Sequence, residues 1–267
     1  MIQSYTACMA SSSADDRLAK LITAATRVFA NKGYRRTQMT DVAAELGVSA
    51  GNLYNYVESK EALFHACLLA SSPAAGAKVP AGTLPLATPS PGAVLTAVQQ
   101  GTRAIAARGA LADALATDNP SDVAEELAGV IGDFYDRTYA TRRFQALVEG
   151  AAADLPEVFE AFFTRMRRPA LAKLTEYLER RIASGHLRTV PDPATTARLI
   201  NETQAWFARH RLGDQDAADL DNALSRATVI DVLVAGLLPR PEPRRAVRTR
   251  TPVDPAPNAA PGGPRRR

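Results

Sequence analysis

From Ser49 to Lys60 the chain reads SAGNLYNYVESK, a short stretch crowded with side chains that form directional polar contacts. Asn52 and Asn55 carry amides whose paired donor and acceptor match the groove edge of adenine. Tyr54 and Tyr56 offer hydroxyls that can bond phosphate oxygens. Ala50 and Gly51 are small enough to let the backbone come close to another surface. Lys60 falls in the first turn of a following helix, the wrong end for a cation against the helix dipole. Its charge makes better sense beside free backbone N–H groups meeting a phosphate. This is the chemistry of holding and reading, not of breaking bonds. The sequence contains no nucleophile elbow, P-loop, Gly-rich dinucleotide loop or zincin motif, so neither a catalytic site nor a cofactor is expected. His65, His186 and His210 are not spaced with cysteine or acidic residues as metal ligands would be, and no metal site is expected.

These residues need a scaffold, and the flanking sequence predicts one. Leu18, Leu21, Ile22, Ala25, Val28 and Phe29 repeat at helical spacing, with Ser13 and Asp16 in a capping-box pattern before them and Gly33 as a left-handed stop. Residues 1–13 read as a polar, disordered tail. A second short helix, with Thr37 and Thr40 as alternative caps, buries Met39, Val42, Ala43 and Leu46 and stops at Gly47. Ser49 is placed to cap a third helix through Val57, and Ser59 a fourth with Ala62, Leu63 and Ala66 on its inner face. Two short helices joined by a glycine-containing three-residue turn make a helix-turn-helix.

The stretch GYRRTQMTDVAAELGVSAGNLYNYVESKEALF resembles the DNA-binding signature of the TetR/AcrR family of bacterial transcriptional regulators. The resemblance covers residues 15–70 and implies an all-α homodimer: three N-terminal helices bind DNA, and a larger C-terminal helical bundle binds a small molecule and dimerises. By position it implies that Tyr54 and Tyr56 contact the DNA backbone and Lys60 a phosphate. Thr40, Ala50, Gly51, Asn52 and Asn55 would lie in or near the major groove, with Ser49 at the helix start. The chain departs from the family pattern at Val57, where Phe is common, and at Gln38, where Ser or Thr is common.

The remaining chain predicts the rest of this architecture. Residues 14–70 form the DNA-binding domain. Residues 71–92, rich in Pro, Gly, Ser and Ala, read as a linker loop. A C-terminal domain over 93–239 follows, with helices near 93–116, 121–150, 156–184, 193–211 and 217–238. Leu220, Leu224, Ala227, Leu233 and Leu237 form a stripe suited to a dimer interface. Tyr135, Phe163, Trp206 and His210 are candidates for an effector pocket. The tail 240–267 carries eight arginines against Glu242 and Asp254, so a chain of net charge +4 has a body of about −2. That tail reads as disordered, and its arginines suit plain solvation, a non-specific DNA arm or a protein-binding segment. No run of the sequence approaches the roughly 20 apolar residues of a membrane span, and no signal peptide is evident, so a cytoplasmic protein without a membrane partner is expected. Cys67 reads as a small core residue. The expected function is sequence-specific regulation of transcription, by a repressor that a small-molecule effector releases from palindromic double-stranded DNA. The alternative is a helical ligand-binding or scaffold protein whose DNA-binding domain is inactive.

Overall fold

The computed structural model describes the backbone of residues 2–80, 84–217 and 219–239, with side chains from Asp15 onward. Residues 240–267, the expected Arg-rich tail, lie outside the described residues. Within them the fold is all-α, as the sequence predicts, and the one strand-like contact is an isolated parallel bridge between Val57 and Leu86.

The first helix, α1 (Ile2–Lys32), begins well before Ser13. No Pro or Gly interrupts it, and its Ala, Met, Ser and Thr residues tolerate helix, so residues 2–13 continue α1 instead of forming the expected tail. Gly33 stops α1 at φ +81°. In α2 (Met39–Leu46) neither threonine is the cap. Gln38 holds that position, and its backbone N–H donates to Asp41 Oδ2 at 2.9 Å. Thr37 is buried, its hydroxyl donating to the Gly33 carbonyl at 2.7 Å. Gly47, at φ +68°, makes the turn into α3 (Ala50–Leu53). This helix is shorter than predicted. Beyond Leu53 the chain continues in tight turns, with the N–H groups of Tyr56 and Val57 both donating to the Leu53 carbonyl. Ser59 caps α4 (Lys60–Ser71) by accepting from the Ala62 N–H at 3.1 Å.

The C-terminal helices are α5 (Ala93–Ile105), α6 (Ala110–Leu115), α7 (Val123–Ala140), α8 (Arg142–Ala152), α9 (Pro156–Phe159), α10 (Arg168–Ala183), α11 (Pro193–Ala208) and α12 (Asn222–Leu237). A π-helical turn over Glu160–Arg167 joins α9 to α10. The expected helix over 93–116 breaks before Gly109, where Arg137 of α7 reaches in and donates to the carbonyls of Ala107 at 3.0 Å and Arg108 at 2.9 Å.

Two hydrophobic cores result, and they do not divide at the predicted linker. The first joins α1–α4 with α5, α8 and α9 through Phe29, Leu63, Phe64, Phe144, Leu147 and Val158. The second lies among α6, α7, α10, α11 and α12 around Leu127, Ile131, Tyr177 and Ile200. The Pro-rich segment does not behave as an open linker either. Leu86 is buried in the first core; its N–H donates to the Tyr56 carbonyl at 2.8 Å, and its carbonyl accepts from the Glu58 N–H at 3.0 Å. Thr88 adds a hydroxyl donation to Ser59 Oγ at 2.9 Å. Leu84 and Leu86 supply apolar surface that the overall composition of this segment conceals.

Helix α8 seats the C-terminal bundle on the N-terminal helices. A Cβ at Gly33 would meet the Gly150 carbonyl oxygen at 2.9 Å, and one at Gly150 would meet the Phe29 carbonyl oxygen at 3.1 Å. Asp154, just beyond α8, accepts from the Arg35 backbone N–H at 2.7 Å. At Gly47, by contrast, an added Cβ would meet nothing within 4 Å. Both Gly→Ala changes incur the left-handed penalty of about 1–2 kcal/mol. Only Gly33→Ala adds the cost of overpacking, about 1–3 kcal/mol. Urea denaturation of the two variants should therefore show the larger loss for Gly33→Ala, and equal losses would mean that α8 does not press on this turn.

Candidate DNA-reading surface and effector cavity

Leu53 and Val57 anchor the third helix in the first core at 2% and 0% exposure. The same anchoring turns Gly51, Asn52, Tyr54 and Asn55 outward, Tyr54 with 49% of its surface exposed. Ala50 and Tyr56 are half-buried and pack against the core. A Cβ at Gly51 would meet no atom of the chain within 4 Å. Nothing inside the fold accounts for a glycine at this helical position. Ser49 occupies the N-cap position but its hydroxyl makes no capping bond, so this exposed group is not consumed by the helix as expected. Thr40 is also exposed, and its hydroxyl makes a long 3.4 Å contact with Gln38 Oε1.

Lys60 is employed otherwise than expected. Its ammonium donates to three backbone carbonyls, those of Tyr34 at 3.1 Å, Arg35 at 3.2 Å and Thr37 at 3.0 Å. It also lies 4.8 Å from the centroid of the Tyr34 ring. An ammonium has three N–H donors, and all three are used. The apparent mismatch with the dipole of α4 is resolved by the turn after α1, whose carbonyls supply the negative partner instead of a phosphate.

The C-terminal bundle holds an open cavity of about 750 Å³ bounded by the end of α5, the start of α6, α7, α8, the π-helical turn, α10 and α11. That volume lies in the range of small-molecule sites. Of the four residues predicted for an effector pocket, Phe163 and His210 line it; Tyr135 and Trp206 do not. Tyr135 is fully buried in the second core, its hydroxyl donating to Asn222 Oδ1 at 3.1 Å, so it ties α7 to α12. Trp206 lies on the outer side of α11, 37% exposed and packed edge-on against Phe207. The π-helical turn carries Phe162, Phe163 and Met166 to the cavity wall. Such turns in helices are frequent at functional sites.

Apart from His210, the polar lining has no counterpart among the sequence expectations. Arg209 Nη2 donates to both carboxylate oxygens of Glu149, each at 2.8 Å, and lies 2.7 Å from His210 Nε2. Arg209 Nε is buried without a partner, as is Gln204 Oε1. A buried polar atom left unpaired costs about 1–3 kcal/mol, so both atoms mark places where a partner is wanted. Burial, and after it the neighbouring Arg209 charge, hold the His210 imidazole below its ordinary range and favour the neutral ring. No sequence motif distinguishes Gln204 or Arg209 from surface residues; only the cavity does. Cys67 is a core residue as read, its thiol pushed up to about 12 by burial. Among the described residues no cluster of His, Cys, Asp and Glu could hold a metal ion, and no helix is long and apolar enough to cross a membrane.

Helix α12 presents apolar residues outward as well as inward. Leu220, just before it, is 47% exposed, Leu224 70% and Val232 61%, and Ala227 lies on the same open side. Leu233 is half-buried, and Leu237 points into the second core at 5% exposure. The expected stripe is thus split between two sides of the helix, and Leu237 is not on the open one. Leu199 of α11, 58% exposed, adds to the open apolar surface.

Residues 21–67 match the model of the bacterial regulatory proteins of the tetR family, and residues 131–229 match the C-terminal domain of AefR-like transcriptional repressors. No curated protein matches the chain significantly. Among solved structures, the ketosteroid transcriptional regulator KstR2 of Mycobacterium tuberculosis is similar over 84% of this chain and 96% of its own, at 17% identity and a TM-score of 0.50. FadR from Bacillus subtilis, in complex with stearoyl-CoA, aligns over 82% of this chain and 98% of its own, at 17% identity and a TM-score of 0.37. SCO4942 from Streptomyces coelicolor aligns over 84% and 98%, at 18% identity and a TM-score of 0.40. The first of these is a likeness of fold.

Two substitutions separate positioning from reading on the outer surface. Lys60→Met removes hydrogen bonds from a charged group, each worth about 1.5–3 kcal/mol; it should lower the stability of the N-terminal helices in thermal melts. A lysine that only met phosphate would leave the melt unchanged. Gly51→Ala should leave stability unchanged or raise it by up to about 1 kcal/mol, while weakening DNA binding in fluorescence anisotropy. Unchanged binding would show that no surface approaches Gly51.

Proposed function

The chain belongs to the TetR family of bacterial regulatory proteins and is a DNA-binding transcriptional regulator; on that premise we propose that it is a homodimeric repressor, released from a palindromic operator by a small molecule. The observation that carries this reading is the outward row of Gly51, Asn52, Tyr54 and Asn55, held on a buried anchor and left open on its far side. In this reading the two asparagines meet base edges, while Tyr54, Tyr56, Ser49 and Thr40 contact the phosphate backbone around them. Lys60 acts one step back, by fixing the turn against which the helix-turn-helix rests.

The open apolar side of α12 supports the dimer. Leu224, Ala227 and Val232 stay uncovered around the exposed Asp231, and a second copy is the occupant that the two-fold symmetry of most soluble oligomers favours. Leu220, Leu224, Ala227 and Val232, with Leu199 of α11, would form the contact. A two-fold dimer presents two reading helices, so its operator is palindromic with half-sites about 34–36 Å apart or somewhat more. The ligand occupies the cavity behind α8 and α11. It releases DNA by binding better to a form in which the reading helices are wrongly spaced.

The test is a gel shift on the DNA upstream of the gene, paired with sedimentation of the free protein. Wild type should sediment as a dimer and prefer the intact palindrome over one half-site. The double change Leu224→Asp and Val232→Asp should give a folded monomer that loses this preference. A dimer that binds no DNA would favour the ligand-binding or scaffold alternative, and a wild-type monomer would remove the palindrome from the proposal.

A further inference from the structure

The cavity carries a charge that the rest of the body does not. Seven arginines and lysines line it against Asp133, Glu149 and Glu202. Arg108 and Arg165 also pair with Asp113 and Glu160, which lie outside the lining, so the balance is seven cations to five carboxylates. Arg167 and Arg198 converge on the same oxygen of Glu202. The body as a whole is net negative, so this surplus is local. Phe134, Phe162, Phe163, Met166 and Leu174 add apolar surface to the same space, drawn from the same elements as the cations.

Within that lining, Arg209 is a buried cation whose donors are incompletely used. Its side chain is 9% exposed, and Glu149 is held by Nη2 alone. An arginine binds a carboxylate best with two parallel N–H donors, and the edge made by Nε and Nη2 has its Nε unpaired. The orphaned Gln204 amide oxygen, on α11 five residues before Arg209, belongs to the same lining and can accept from a hydroxyl or N–H of the ligand. We infer that the cavity takes an amphipathic carboxylate, its acid group on the Nε–Nη2 edge of Arg209 and its apolar body against Phe134, Phe162, Phe163 and Met166. This inference rests on the reading of the cavity as the effector site and gives that effector its chemical class. The incoming acid competes with Glu149 for Nη2. Glu149 immediately precedes Gly150, the residue on which α1 rests, so the exchange loosens the tie between α11 and α8 where α8 carries the N-terminal helices.

The test is calorimetric titration of the full-length protein, free of DNA, with octanoate, dodecanoate, hexadecanoate and 3-phenylpropanoate, each beside its methyl ester. At least one acid should bind about tenfold more tightly than its ester, and Arg209→Gln should abolish that preference. Glu149→Gln removes the competing carboxylate and should strengthen acid binding several-fold, which keeps the test alive if Arg209→Gln fails to fold. The inference is overturned if no acid binds, if acid and ester bind alike, or if Glu149→Gln leaves acid binding unchanged or weaker. Because DNA is absent, the titration decides the ligand class even for a protein that never binds an operator. Conversely, release from the operator by an uncharged molecule alone would keep the regulatory reading and sink this one.

Discussion

The fold depends on one close approach of two backbones. Where α1 ends, Gly33 takes a left-handed conformation and lies under Gly150 of α8, with no room for a Cβ between them. Helix ends leave carbonyls without intrahelical partners, and here three carbonyls of the turn after α1 are collected by the ammonium of Lys60. The turn is therefore fixed from both sides, by α8 above and by α4 below. Without that seat α8 could not share a core with α1, and the reading surface would have no fixed relation to the cavity.

Buried arginines perform a similar service in the second core. Arg181, 2% exposed, donates to both carboxylate oxygens of Glu126, at 2.8 and 2.9 Å, and to the carbonyls of Ala114 and Thr117. Arg211, also 2% exposed, closes the link between α11 and α12 through the carbonyls of Phe207 and Leu220 and the amide of Asn222. A buried charge is tolerable only when its donors are met, and in both cases loop carbonyls meet them. These loops would otherwise present unpaired backbone groups to the core. Arg209 differs in that its donors are left partly unmet beside an open volume.

The sequence is most legible where local chemistry decides structure. The stop at Gly33, the turn at Gly47 and the cap at Ser59 each depend on a few adjacent residues. The apolar residues of the first four helices follow from periodicity. What escapes a reading of the sequence depends on residues far apart in the chain. The dipole of its own helix says nothing of the true partners of Lys60, which lie more than twenty residues earlier. The prolines and glycines of the segment 71–92 conceal Leu84 and Leu86 and their place beside Tyr56. Tyr135 and Trp206 look like pocket residues because polar-tipped aromatics suit pockets, but periodicity alone does not say which side of a helix meets a cavity and which meets a neighbour. The inward place of Leu237 escapes for the same reason.

The two sites are joined by contact alone, without a long flexible connection. From Arg209 the path runs to Glu149, then one residue along α8 to Gly150, across to Gly33, and through the Tyr34, Arg35 and Thr37 carbonyls to Lys60 at the start of α4. Ser59, the cap of α4, receives the Thr88 hydroxyl from the Pro-rich segment, which also pairs with Tyr56 at the end of the reading turn. Packed interiors have few empty spaces and shift as units. A displacement of α8 at Glu149 therefore bears on the turn and on α4 together instead of being absorbed along the way. In the proposed mechanism, the elements that hold the reading surface rigid are for this reason the same elements through which a ligand in the cavity would act on it.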